Sequence, residues 1–258
     1  MKSIREAFAP GRKALITFIT GGDPDIETTE KLVLAMAEEG ADIVEIGIPF
    51  SDPIAEGPVI QDADERALAS GTTLDSLLAL AARLREKTDI PLLFMTYLNP
   101  VYKYGIAAFT ARCEQAGIGG LIIPDMPYEE AGEFLSRRAS DKVALISMVT
   151  PTSARRAAEI ASKAEGFLYC VSSLGVTGVR TTLGSEIGEV IGQVKAGSDI
   201  PCAVGFGVST PEQAVAMGAI SDGVIIGSAI VRIVAQHGQQ SEAPVRDFVR
   251  GVRAALDA

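Results

Sequence analysis

Eight short apolar runs alternate with amphipathic stretches along this chain, and that order admits few architectures. The strand-like runs are Ala14–Ile19, Asp42–Ile46, Leu92–Tyr97, Gly120–Ile123, Val143–Val149, Phe167–Val171, Cys202–Val204 and Gly223–Ile226. Helical patterns lie between them at Thr28–Glu39, Leu74–Lys87, Ile106–Ala116, Glu129–Ala139, Ala154–Lys163, Ser185–Val194 and Pro211–Met217. About eight βα units in about 250 residues is the outline of an α/β chain folded as a (β/α)8 TIM barrel. A doubly wound sheet is the alternative. No Pro/Gly/Ser-rich linker or change of composition marks a second domain, so one barrel over residues 1–258 is expected.

Two connections are longer than a barrel needs: an extended loop, Pro49–Thr73, after strand 2, and Ser172–Gly184 after strand 6. Long loops at the C-terminal ends of barrel strands are usually functional or mobile. The second holds Gly175, Gly178 and Gly184 and reads as a mobile lid, with a plain solvated loop as the bland alternative. Gly40 and Gly117 after helical patterns, and Thr210-Pro211 before one, are ordinary helix boundaries.

With 47% hydrophobic residues the chain can fill such a core. Its net charge of −10 argues against nucleic-acid binding, which needs a basic footprint. A phosphorylated metabolite stays open, because a few backbone N–H groups can hold one phosphate inside an acidic protein. Cys113, Cys170 and Cys202 show neither zinc spacing nor a disulfide framework, which suits a reducing, cytoplasmic compartment. The N-terminus carries Lys2, Arg5 and Glu6 with no apolar h-region. The most apolar stretch, Gly223–Ala235, is too short for a bilayer and contains Arg232, so no membrane span is expected.

Glu45 lies inside the apolar run Ala41–Ile46. A carboxylate there must be hydrogen-bonded, paired or neutralised, and the C-terminal ends of barrel strands are where such enzymes keep their chemistry. A structural carboxylate capping a backbone group is the competing reading. Asp52 and Glu56 follow in the next loop, and two carboxylates in unlike environments can divide acid and base roles. Asp52, in Ser-Asp-Pro, equally suits a turn. Tyr169 offers a hydroxyl partner. The sole histidine, His237, sits in a polar stretch and supports neither a zinc site nor a serine triad. Lys103 is the one weak Schiff-base candidate. Gly175-Val-Thr-Gly178, Gly205-Phe-Gly207 and Gly227-Ser228 follow strands 6, 7 and 8, where barrels often hold a phosphate. A small phosphorylated substrate and acid–base catalysis by carboxylates, with no metal, is the reading these residues support.

Together with Thr20-Gly-Gly-Asp-Pro24, Glu45-Ile-Gly-Ile-Pro-Phe-Ser-Asp-Pro53, Gly205-Phe-Gly-Val208 and Gly227-Ser-Ala-Ile-Val231, these segments resemble the tryptophan synthase α subunit family, in its order and across nearly the whole chain. The resemblance implies retro-aldol cleavage of indole-3-glycerol phosphate to indole and glyceraldehyde 3-phosphate. It also implies a β subunit that receives the indole for L-tryptophan synthesis in an α2β2 heterotetramer. No cofactor is expected in this chain, since the family's pyridoxal phosphate belongs to the β subunit. By the same resemblance Glu45 is the acid–base group, Glu56 the second carboxylate near the indole N–H, and Tyr169 the active-site tyrosine. Phe18, Ile60 and Phe206 fall at the indole pocket, Gly178, Gly207, Gly227 and Ser228 at the phosphate, and Thr177 on the lid. Pro49, Asn99 and Pro127 fall at the β-subunit contact. One departure stands out: the family's Ala-Asp-Gly is here Ala55-Glu56-Gly57. The alternatives are a stand-alone lyase releasing free indole, a mainly regulatory subunit of low activity, and, disfavoured, a phosphosugar isomerase on a similar barrel.

Overall fold

The computed structural model describes residues 2–139, 141–171, 183–205 and 207–258. The strands are β1 (Ala14–Thr20), β2 (Ile43–Gly47), β3 (Leu92–Met95), β4 (Gly120–Ile122), β5 (Ala144–Val149), β6 (Leu168–Val171), β7 (Cys202–Gly205) and β8 (Gly223–Ile226). Each runs parallel to the next, and β8 returns to β1 with Ala14 opposite Gly223, closing the barrel. The apolar runs of the sequence are these strands, within a residue or two at their ends.

Side chains alternate between two faces along each strand. On β1 and β2, Leu15, Ile19, Val44 and Ile46 pack outward in the layer shared with the helices. Ile16 and Ile43 join Leu93, Ile122, Ile146, Phe167, Tyr169, Ala203 and Ile225 inside the barrel. Because the residue at position 45 shares the parity of Ile43, it faces the interior.

The outer layer contains the expected helices α1 (Ile26–Glu38), α3 (Leu74–Arg85), α5 (Ile106–Gln115), α6 (Ala131–Arg137), α7 (Ala157–Lys163), α8 (Leu183–Lys195) and α9 (Pro211–Ile220). Side-chain caps set the starts of α1, α3 and α9. Asp25 accepts from Thr28 N–H, Thr73 and Ser76 form a capping box, and Thr210 accepts from Gln213 N–H. Gly40 and Gly117 end helices at φ +96° and +76°.

Four further helices were not evident from the sequence: α2 (Pro58–Ala69), α4 (Leu98–Tyr104), α10 (Ser228–His237) and α11 (Glu242–Asp257). The connection after β2 is therefore not one long irregular loop, since α2 occupies about half of residues 49–73. α11 buries Val245, Val249 and Val252 against α1 and α9. Its Arg253 reaches Asp42, whose carboxylate also accepts the Leu15 N–H at 2.8 Å, so the last helix ties together the bottoms of β1 and β2. Of the expected lid, residues 172–182 lie outside the described residues, and Leu183 and Gly184 open α8. Among the described residues no helix is long and apolar enough to cross a membrane.

Candidate active site

Glu45 stands inside the barrel at the middle of β2, two residues short of the strand's end where the sequence reading put it, in register with Phe18 on β1 and Leu93 on β3. It is 0% exposed, and among the described residues neither carboxylate oxygen has a hydrogen-bond partner. Burial alone pushes its carboxyl group up to about 8, so at neutral pH it holds its proton. Tyr169, on β6, is buried in the same interior, and its phenol is raised well above the ordinary value by burial and by the charge of Glu45. An unpaired acid in a dry interior is costly. The structural-carboxylate reading, which needs a capped backbone group, finds no such partner among the described residues.

Three strand-end glycines shape this interior by what they lack. A Cβ on Gly47 would stand 2.7 Å from Phe18 Cζ, and one on Gly205 would stand 2.6 Å from the Tyr169 hydroxyl oxygen. One on Gly227 would lie 3.1 Å from Phe18 Cδ1. Gly227 thus seats the Phe18 ring as well as capping α10, a packing role that the phosphate pattern in the sequence did not reveal. Phe18 and Ile60 meet, with Ala63 and Val231, in an apolar cluster that Val59 and Met95 extend. This cluster gathers side chains from β1, β3, α2 and α10 into one wall.

At the expected phosphate end, Gly207 has φ +82° and open space around it, a backbone form that side chains resist. Ser228 is exposed at the first position of α10, whose N-terminus has no side-chain cap. The first N–H groups of that helix therefore face outward without intrahelical partners, as an anion site requires. Thr177, Gly178 and Phe206 lie outside the described residues.

Glu56 is half-buried in the loop before α2. The Tyr97 hydroxyl donates to its carboxylate and accepts the N–H groups of Ile54 at 3.1 Å and Ala55 at 2.9 Å. Burial raises the Glu56 carboxyl group, the Tyr97 bond opposes that, and Asp125 adds a further rise. Gln61 Nε2 donates to the Glu56 carbonyl at 2.8 Å, fixing the backbone as well. Asp52 is exposed and accepts from Ser51 Oγ at 2.6 Å, which suits the turn reading.

Two residues escaped the sequence reading. Tyr97 read as the end of a strand, but it stands beyond β3 and orients Glu56 across 41 residues of chain. Asp64 is buried on α2, in a stretch whose polar composition resembles a loop. Of the expected partner contacts, Asn99 and Pro127 are exposed, while Pro49 is buried. Ile54, 79% exposed, and Tyr102 add apolar surface. Lys103 is exposed on α4 and His237 at the end of α10.

The family model for the tryptophan synthase alpha chain matches residues 4–256. The tryptophan synthase alpha chain of Lacticaseibacillus casei is 45% identical over 258 residues, covering 100% of this chain and 97% of the relative. The structure of tryptophan synthase subunit alpha from Legionella pneumophila str. Paris superposes with a TM-score of 0.89 at 35% identity, covering 100% of this chain and 99% of that one. A tryptophan synthase complex from Pyrococcus furiosus gives a TM-score of 0.84 at 31% identity, with 93% and 98% coverage. With the fold, the buried acid of β2 and these likenesses over its whole length, the chain belongs to the tryptophan synthase alpha chain family.

Proposed function

We propose that this chain is the lyase half of a tryptophan synthase, cleaving indole-3-glycerol phosphate to indole and glyceraldehyde 3-phosphate. The observation that carries the reading is Glu45, a protonated carboxylic acid with no hydrogen-bond partner among the described residues, set beside the apolar wall of Phe18 and Ile60. Breaking this carbon–carbon bond needs an electron sink, and the indole ring serves once its C3 is protonated. Glu45 donates that proton. Its carboxylate then takes the proton from the hydroxyl on the carbon being released. The O–H electrons form the aldehyde carbonyl, and the electrons of the broken bond return to the ring. Glu45 ends with the proton it began with, so the cycle balances.

Glu56, held by Tyr97, is the carboxylate for the positive charge that develops at the indole N–H. Tyr169 borders the reacting carbons. Gly207, Gly227 and Ser228, with the N-terminus of α10, take the phosphate, joined by Gly178 and closed over by Thr177. Phe206 completes the indole pocket.

We place the β-subunit contact on the face bearing Asn99 and Pro127, with Pro49 shaping it from beneath. Exposed Ile54 and Tyr102 suit a surface covered by a partner, and the Pyrococcus furiosus relative is a tryptophan synthase complex. An α2β2 assembly in the cytoplasm, with pyridoxal phosphate in the β subunit and no cofactor in this chain, completes the proposal. Indole formation from indole-3-glycerol phosphate, measured with and without a β subunit, tests it. No indole under either condition overturns the lyase reading, and equal rates under both overturn the partner.

A further inference from the structure

We propose that Asp23 and Arg66 are positioning residues for the indole ring: their paired side chains lock α2 against the turn after β1 and so fix how far Ile60 stands from Phe18. The proposal rests on the lyase reading above. Asp23 belongs to the turn Thr20-Gly-Gly-Asp-Pro24, which leaves the strand carrying Phe18, and Arg66 lies on the helix carrying Ile60. Arg66 Nε donates to Asp23 Oδ1 and Nη2 to Oδ2, each at 2.8 Å. Two parallel bonds between a guanidinium and a carboxylate fix direction as well as distance. The Asp23 side chain is 2% exposed and that of Arg66 37%, so the acid side of the pair is sealed inside the protein.

Asp23 stands on a fixed base. The Gly21 N–H donates to the Gly47 carbonyl at 2.8 Å, joining the turn to the end of β2, and the Gly22 N–H donates to Thr29 Oγ1 on α1 at 2.8 Å. Gly22 has φ +86°, and a Cβ there would run into the side chain of Thr72, just beyond α2. The helix itself has less to hold it. Its buried face is Ile60, Ala63, Asp64 and Ala67, and alanine methyl groups do little to stop a helix from sliding or tilting. Among the described residues, Arg66 with Asp23 is the one ion pair that α2 makes with another element. Ile60 lies six residues before Arg66, about 9 Å along the axis, so a rigid helix carries any shift at Arg66 to the apolar wall. That wall joins Ile60 to Phe18, and the pair thus sets the spacing between its two strand-and-helix halves.

The test measures kcat and KM, with the β subunit added, for full-length wild type, Asp23→Asn and Arg66→Lys. The substrates are indole-3-glycerol phosphate and analogues carrying one methyl group at each free position of the benzo ring. Asp23→Asn keeps the side-chain shape, breaks the fork and leaves no buried charge behind; Arg66→Lys keeps the charge and reduces two directed bonds to one. Wall contacts are made before and during the reaction, so in Asp23→Asn KM for the parent substrate should rise about threefold or more with kcat little changed. A pocket discriminates one methylene by about 10–200-fold, and a loosened wall should raise the relative kcat/KM of at least one methylated substrate by about fivefold or more. Arg66→Lys should shift both quantities the same way by less. Lost stability alone lowers the active fraction and the apparent kcat, and leaves KM and the substrate ratios where they were. Unchanged KM and ratios in both variants, or in whichever of them folds, would overturn the proposal. A second readout needs no cleavage: the chain contains no tryptophan, so the fluorescence of added indole reports its binding. Indole should bind Asp23→Asn more weakly than wild type, and equal affinities would overturn the positioning role and leave the lyase reading standing. A weaker affinity in a protein whose wild type forms no indole would do the reverse.

Discussion

Glu45 and Phe18 are register partners on adjacent strands, so a carboxyl group with no hydrogen bond among the described residues and an aromatic ring stand side by side inside the barrel. The ring helps keep water away from the acid, and dryness holds the proton on. Glu45→Gln keeps the shape and removes the transferable proton. Turnover should drop by about 10²–10⁴-fold, the usual contribution of a general acid–base group, while circular dichroism stays unchanged. Near-wild-type turnover in a folded variant would remove Glu45 from the chemistry.

The same acid leaves a signature in stability. Its ordinary value of 4.5 rises to about 8 in the folded chain, so the folded state binds more protons between those limits. Its favourable contribution is fully present below 4.5 and is lost as pH rises towards about 8. The slope it adds is at most about 1.4 kcal/mol per pH unit, and Glu45→Gln should remove that share. Urea denaturation at a series of pH values measures it; parallel curves for the two proteins would show Glu45 to be ordinary.

Tyr97 and Glu56 make a paired prediction. Tyr97→Phe removes the hydroxyl that orients Glu56 and holds two loop N–H groups. Hydrogen bonds to charged groups contribute about 1.5–3 kcal/mol, so kcat should fall roughly tenfold or more with little change in KM. Glu56→Ala should cost more, on the order of 3 kcal/mol in the barrier, and Glu56→Asp should be tolerated better because the charge remains. If Glu56→Ala turned over like wild type, Glu56 would be a loop carboxylate and nothing more.

Ser228→Asp places a carboxylate at the N-terminus of α10, where a helix itself favours negative charge. The protein should therefore stay as stable as wild type while the Michaelis constant rises by about tenfold or more, through repulsion of the substrate phosphate. Steady-state kinetics and a melting curve separate the two effects. An unchanged Michaelis constant would move the phosphate elsewhere.

Gly205→Ala adds a single methyl group, 2.6 Å from the Tyr169 hydroxyl oxygen. Overpacking of this kind typically costs about 1–3 kcal/mol, and here it should also displace the phenol and lower kcat. A variant with wild-type stability and turnover would show that the ring has room to move.

The barrel was legible because each strand is a local event, a short apolar run between breakers, and eight of them leave little topological choice. Glu45 was legible because a charge inside such a run is conspicuous. α2 was not, because Gln61, Asp62, Asp64, Glu65 and Arg66 give it the composition of a solvated loop, and only packing shows that Asp64 turns inward. Tyr97 was missed for a different reason. Its partner lies far away in sequence, and no local pattern encodes a bond that the fold alone creates.

The wall holding Phe18 also holds Val231, from a helix that follows the final strand. The pocket is thus assembled from residues far apart in sequence, Phe18 and Val231. A ribosome must deliver the chain through Val231 before β8 can seal against β1 and this wall can exist. Until then Glu45 has no dry enclosure to keep its proton, and an unfinished chain carries the acid without the surroundings that make it useful.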